Sequence, residues 1–302
     1  MSRSKKTGIF FAILAAALYA ISTPLSKILL DYMPSTLIAG FLYIGAGIGM
    51  GGIAIVQKAK KKQQIEARLT WLEFPYTIAM IVLDIIAPIC LLLGLKFTTA
   101  ASASLLNNFE IVTTALIASV IFKERITHRL WIGIIFITLS CAFLSLEDIS
   151  SIRFSYGSCF ILLACICWGF ENNCTRKISS KNPLQIVLLK GIFSGIGSIL
   201  IGLCIGERIT FFWSIFVVMI VGFISYGLSI FFYVYAQRLL GAARTSAYYA
   251  IAPFIGTFVS LNIFCELPHF TYFISLGFMG IGAWLCSKDE PIFKRRVRKT
   301  KN

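Results

Sequence analysis

Histidine occurs only twice in the 302 residues, as His128 and His269, and the nine cysteines form no C-x-x-C pair. Structural metal sites and dithiol redox centres depend on such spacings. Their absence predicts no metal and no cofactor. Cys165 and Cys167 make a C-x-C step inside an apolar stretch and read as small core residues. Charge is scarce as well, at 14% of residues, against roughly 25% in an average soluble domain. Acids are the scarcest of all, with 13 Asp and Glu beside 28 Lys and Arg. No apolar stretch carries His with an acid or a Gly-x-Ser-x-Gly step, which argues against an intramembrane enzyme.

What the chain does have is apolar length. It is 58% hydrophobic, and a spanning helix needs about 20 mostly apolar residues. Ten stretches qualify, at 7–30, 36–56, 71–93, 98–122, 130–146, 156–175, 183–205, 211–236, 242–264 and 270–287. The expected fold is an all-α membrane protein of ten transmembrane helices. Residues 1–6 are basic without a cleavage pattern, so the first stretch reads as a retained helix. The basic residues sort by side. With a cytoplasmic N-terminus, only Lys27, Lys96, Arg153 and Arg208 fall outside, Lys190 lies within a span, and the remaining 23 fall inside. That bias predicts both termini in the cytoplasm of a bacterial inner (plasma) membrane. The tail 288–302 then reads as a topology anchor beside anionic lipid, and the net charge of +15 does not call for nucleic acid.

The last five stretches repeat the first five. At an offset of 149, Leu18–Pro24 falls on Cys167–Asn173, Lys27 on Arg176 and Pro34 on Pro183. At an offset of 142, Glu124 falls on Glu266 and Ile111 on Pro253. The shift between the two offsets lies in the longer basic loop of the first half, where length changes are tolerated. An odd-numbered block duplicated in one chain inserts its copies in opposite orientations, an arrangement typical of secondary transporters. The predicted units are 7–146 and 156–287 as five-helix inverted repeats, with 288–302 as the tail.

These residues resemble the drug/metabolite transporter superfamily in its two-domain EamA-type form. Trp168-Gly169, Pro183, the run 241–246, Ala252-Pro253 and Glu266 match its pattern in the second half. Pro34, the run 98–102 and Glu124-Arg125 match in the first, with Tyr19-Ala20 in place of Trp-Gly and Ile111 in place of proline. The resemblance implies a gradient-driven carrier of small metabolites, often an exporter, working without ATP.

Ionisable residues at membrane depth are functional candidates by default. Asp84 and Glu110 lie near the middle of consecutive spans, where one cavity can receive both. Glu171 and Lys190 lie at similar depth in the inner half of the next pair, a geometry that permits an ion pair. If Lys190 is so engaged, no intramembrane base remains for Asp84 and Glu110. Either is then free to carry a coupling proton or to act as counter-ion to a cation. Asn107, Asn108 and Asn172 add amides that hydrocarbon does not tolerate unbonded, so they are expected to line a hydrated cavity or to bond across helices. Among the aromatics, Tyr226 falls on Asp84 and Tyr249 on Asn107 in the repeat, and an aromatic site suits an amino acid, a nucleobase or an organic cation. Pro88 and Pro253 are candidate hinges. The glycine run 45–52 reads as helix packing rather than a dinucleotide fingerprint, and the glycines of the tenth span offer a homodimer face. The expected function is export of amino acids or related polar or aromatic metabolites in exchange for protons. The alternatives are efflux of an organic cation or drug, or a membrane receptor or channel. Expected partners are the small-molecule substrate, protons and the lipid bilayer.

Overall fold

The structure is a computed structural model describing residues 3–59, 69–121, 123, 127–148, 153–178, 181–240, 248–265 and 270–287. Among the described residues, seven helices are long and apolar enough to cross a membrane: α1 (Lys6–Leu29), α2 (Ser35–Gln57), α3 (Trp71–Lys96), α4 (Ala100–Val120), α5 (His128–Ser145), α7 (Pro183–Cys204) and α8 (Phe212–Tyr233). Between α5 and α7 lies α6 (Tyr156–Ile178), equally long but carrying Glu171, Arg176 and Lys177. Two shorter apolar helices follow, α9 (Ala252–Phe264) and α10 (Phe270–Ser287). A short antiparallel hairpin, Leu146–Asp148 with Arg153–Phe154, joins α5 to α6. Helix is the form these runs take because it satisfies every backbone group within the segment, as hydrocarbon demands. The chain is a multi-pass integral membrane protein.

Local signals fix several helix starts. Thr99 accepts a hydrogen bond from Ser102 N at 3.1 Å, opening α4. Asn182 accepts from Leu184 N at 2.9 Å, and Pro183 fills the first position of α7, where its missing N–H costs nothing. At the end of the bundle holding the α1–α2 connection, two charged side chains tie helices together. Lys27 donates to the Thr98 carbonyl at 2.8 Å, and Glu207 accepts from Leu37 N at 3.1 Å at the head of α2.

The packing crosses between the halves of the chain. α3 packs on α6, and α8 on α1; α4 packs on α6, and α9 on α1; α2 meets α7, α4 meets α9, and α5 meets α10. Glycine permits the closest of these approaches. A Cβ on Gly191 of α7 would lie 2.5 Å from Gly47 N of α2, and one on Gly45 would run into the Met219 carbonyl of α8. α2 is thereby gripped on two sides, which is the packing role expected of the 45–52 run.

Among the described residues four helices are irregular, and α1 is interrupted by a turn at Ile21, between Arg3–Ala20 and Ser22–Leu29. α4 breaks at Asn107-Asn108, between Ala100–Leu106 and Phe109–Val120. α7 and α8 each contain a π-helical stretch, Lys190–Ser194 and Phe223–Leu228. Such wide turns insert one residue into a helix and concentrate at functional sites. Pro88 sits inside a continuous α-helix, Phe74–Lys96. Pro253 lies in the first turn of α9, just after a turn at 250–251. The expected ninth span began at 242; helix is described at 248–249 and from Ala252, and 241–247 lie outside the described residues. Glu124-Arg125, Glu266 and the tail lie outside them too.

Candidate functional site

The intramembrane acids meet at the middle of the bundle, on two sides of α6. On the first side, Lys190 Nζ lies 2.9 Å from Glu171 Oε1 and 3.1 Å from Asp84 Oδ2. Tyr43 of α2 donates to Asp84 Oδ1 at 2.9 Å, and Thr175 donates to Glu171. The Glu171–Lys190 pair is present. Asp84, however, is not left without a base: Lys190 bridges both carboxylates, because α3 and α7 lie side by side and the π-turn begins at Lys190. Asp84 is fully buried, so its charge is held wholly by Lys190 and Tyr43.

On the second side stands Glu110. Asn172 donates to Glu110 Oε1 at 2.6 Å and also reaches Thr114 Oγ1 at 3.3 Å. Among the described residues no Lys, Arg or His forms an ion pair with Glu110. Asp84 and Glu110 thus do not share partners, although Glu110 lies within electrostatic range of Glu171 and Lys190. Asn173 anchors α6 to α4 through the Thr114 carbonyl at 3.1 Å. Thr113 reaches the Cys165 carbonyl at 2.7 Å against Gly169, where no larger residue fits. That contact explains Trp168-Gly169. In the first half Ala20 stands in the glycine's place, and Gly256 of α9 supplies the clearance against the Ala20 carbonyl instead.

An aromatic wall runs beside Glu110. Tyr226 contacts Tyr19 edge-on and Tyr43 at ring-centroid separations of 5.9 and 5.2 Å. Tyr249 lies 6.0 Å from Tyr19 and 4.9 Å from Tyr233. Tyr226 and Tyr249 therefore belong to one cluster around Tyr19, the residue that replaces the tryptophan of the second half. Asn107 and Asn108 sit in the break of α4. The Asn108 amide turns back to the Leu105 carbonyl at 3.4 Å, whereas Asn107, with Tyr19, Thr23, Ser104, Pro253 and Gly256, lines a small cavity of about 10 Å³ between α1, α4 and α9. Residues that the sequence did not single out are Tyr43, Thr114 and Ser104, and Tyr19 stood out only as a departure from the Trp-Gly pattern. A hydroxyl in an otherwise apolar span is the signal for Tyr43, since buried tyrosine seeks a partner for its O–H. Among the described residues no group of His, Cys, Asp and Glu is arranged to hold a metal ion.

Among the described residues, seven helices fit to cross a membrane surround a buried charged cluster, the build of a multi-pass membrane protein. The sequence matches the EamA-like transporter family over residues 6–146 and again over 155–288, and the chain belongs to that family. An uncharacterized transporter of Methanothermobacter thermautotrophicus is 29% identical over 202 residues, 63% of this chain and 58% of that protein. The uncharacterized transporter YyaM of Bacillus subtilis is 21% identical over 184 residues, 56% of this chain and 59% of that protein. The chain spans about three fifths of the length of these relatives. A solved crystal structure superposes along 100% of this chain and 99% of its own, with a TM-score of 0.64 at 15% identity, a likeness of fold.

Proposed function

We propose that the protein is a secondary active exporter of amino acids or related polar or aromatic metabolites, working by alternating access and exchanging substrate for protons. The single observation that carries this reading is Glu110, an intramembrane carboxylate held by one amide and, among the described residues, by no base, beside tyrosines and a broken helix. A carboxylate so placed exchanges a proton or a ligand without first breaking an ion pair. Asp84, Glu171 and Lys190 neutralise one another in part and act as a fixed electrostatic frame. The family match and the transporter names of the relatives support reading the protein as a carrier and not an enzyme.

The architecture fits ten helices in two five-helix units, 7–146 and 156–287, related by an in-plane pseudo-twofold axis. The support is the packing: exchanging each helix with the one five places on turns α3–α6 into α8–α1 and α4–α6 into α9–α1, and leaves α2–α7, α4–α9 and α5–α10 unchanged. The breaks beside Asn107 and before Pro253 fall at matching positions and make natural hinges, whereas Pro88 lies inside a continuous helix. Both termini are assigned to the cytoplasm of the plasma membrane by the placement of basic residues. Gly277 and Gly280 of α10 have open space before them and suit a homodimer contact.

The test is counterflow in proteoliposomes. A carrier gives saturable exchange of labelled amino acid against an unlabelled internal pool, and an imposed pH gradient drives net export. Glu110→Gln should abolish the response of transport to the pH gradient. Full gradient-driven transport in that variant removes the proton role from Glu110, and unsaturable flux makes the protein a channel.

A further inference from the structure

The cavity beside the break in α4 has a chemical bias. It is about 10 Å³, room for one water-sized group. Asn107 and Ser104 line it; they are 6% and 2% exposed, and Asn107 Oδ1 and Ser104 Oγ have no hydrogen-bond partner. A buried amide oxygen left unbonded is costly, so the site asks for a donor. The third wall is Tyr19, whose neighbours Tyr226 and Tyr249 close an aromatic surface. Glu110 follows Asn107 by one helical turn and lies within electrostatic range of Tyr19 and Tyr249. Two buried oxygens without partners, a carboxylate three residues along the chain and π-faces thus come together at one slot.

We infer that this slot is the head-group subsite of the transported molecule and takes a primary ammonium group, R–NH₃⁺. The inference rests on the carrier reading and specifies its substrate. An ammonium is close to water in size and brings three donors. Two meet Asn107 Oδ1 and Ser104 Oγ, while its charge faces Glu110 and the tyrosine faces. A guanidinium or a quaternary ammonium exceeds the slot, and the latter offers no donor. A carboxylate meets acceptors and negative charge, so it is excluded from this subsite and any acid group of the substrate points elsewhere. Exchange with protons follows, since a bound ammonium and a proton both neutralise Glu110 and only one is needed at a time.

The probes are phenethylammonium, its alcohol analogue 2-phenylethanol, 3-phenylpropionate and phenethyltrimethylammonium, with the full chain in detergent and thermal unfolding as readout. Ligand that binds only the native state raises the midpoint in proportion to its occupancy. Phenethylammonium alone is expected to stabilise. Asn107→Leu, which fills the slot, should weaken it about tenfold or more, while Asn107→Asp, which keeps an acceptor and the shape, should bind at least as well. If Asn107→Leu does not fold, Ser104→Ala carries the comparison: it should weaken binding several-fold, and affinity equal to wild type overturns the inference. So does equal stabilisation by the quaternary analogue, or no stabilisation by the primary amine. Labelled phenethylammonium in proteoliposomes then separates the two readings. Binding without exchange removes the carrier function and leaves the subsite. Saturable exchange of amine-free solutes with no amine effect removes the subsite and leaves the carrier.

Discussion

The two sides of α6 hold the same kind of residue under opposite conditions. Toward α3 and α7, two carboxylates share one lysine, backed by Tyr43 and Thr175. Toward α1 and α4, one carboxylate has a single amide, and the acceptors of Asn107 and Ser104 near it lie unused. The supporting helices differ in the same sense. α2, which brings Tyr43 to Asp84, is gripped by α7 and α8 through glycines, whereas α4 and α9 break next to the unused acceptors. A satisfied buried network rigidifies its surroundings, and an unsatisfied one is free to respond to a ligand. The first side is built to stay and the second to change.

Removing the lysine strains this contrast most. Lys190→Met strands two buried carboxylates, and breaking a buried pair in this way costs about 3–5 kcal/mol. A large fall in thermal midpoint is expected in detergent, partly recovered when Asp84→Asn and Glu171→Gln are added. A Lys190→Met protein that melts like wild type means the triad is not a structural frame.

Next comes the clasp on α2. A Cβ on Gly45 collides with the backbone oxygen of Met219, which has no rotamer with which to move aside. Gly45→Ala should therefore cost about 1–3 kcal/mol, the range for overpacking. Gly52→Ala meets nothing within 4 Å and serves as control, expected to be neutral or slightly stabilising since alanine favours helix. Equal behaviour of the two would mean that α2 is not held at Gly45.

How much of this was legible in the sequence follows from what is local. Asp84, Glu110, Glu171 and Lys190 stand out because each interrupts an apolar run, and Glu171 with Lys190 could be paired because their helices are consecutive. The bond from Lys190 to Asp84 joins α7 to α3 across the two halves of the chain, and only tertiary packing sets it. The π-turns leave no signature in composition, since an extra residue per turn is absorbed without changing residue type. The break at Asn107-Asn108 was half visible: two amides in a membrane helix announced polarity, but the first half lacks the proline that marks α9. Tyr19-Ala20 was legible as a departure, though not its compensation, because the clearance moves to Gly256 on a distant helix.

A smaller effect tests the frame from its edge. Tyr43→Phe removes one donor from Asp84 and leaves Lys190 in place. A hydrogen bond to a charged group contributes about 1.5–3 kcal/mol, and the surviving ion pair places the loss at the lower end. The double variant with Asp84→Asn should show a coupling of the same order, measured as non-additivity of the two midpoints. Additive behaviour would mean that the 2.9 Å contact contributes nothing to stability.

Glu110→Gln is expected to change stability least, and that is its value. Gln presents the same oxygen to the Asn172 amide, so the 2.6 Å bond has an acceptor in either case. No base is stranded by the loss of charge, because none is paired with Glu110 among the described residues. The cost should stay below about 1 kcal/mol, the scale of one neutral hydrogen bond, since a buried amide needs no counter-charge. Read against Lys190→Met, a small change places structure on one side of α6 and exchange on the other. A fall as large as that of Lys190→Met would instead make Glu110 a member of the frame, and the carrier's exchanging group would have to be sought among the tyrosines and Asn107.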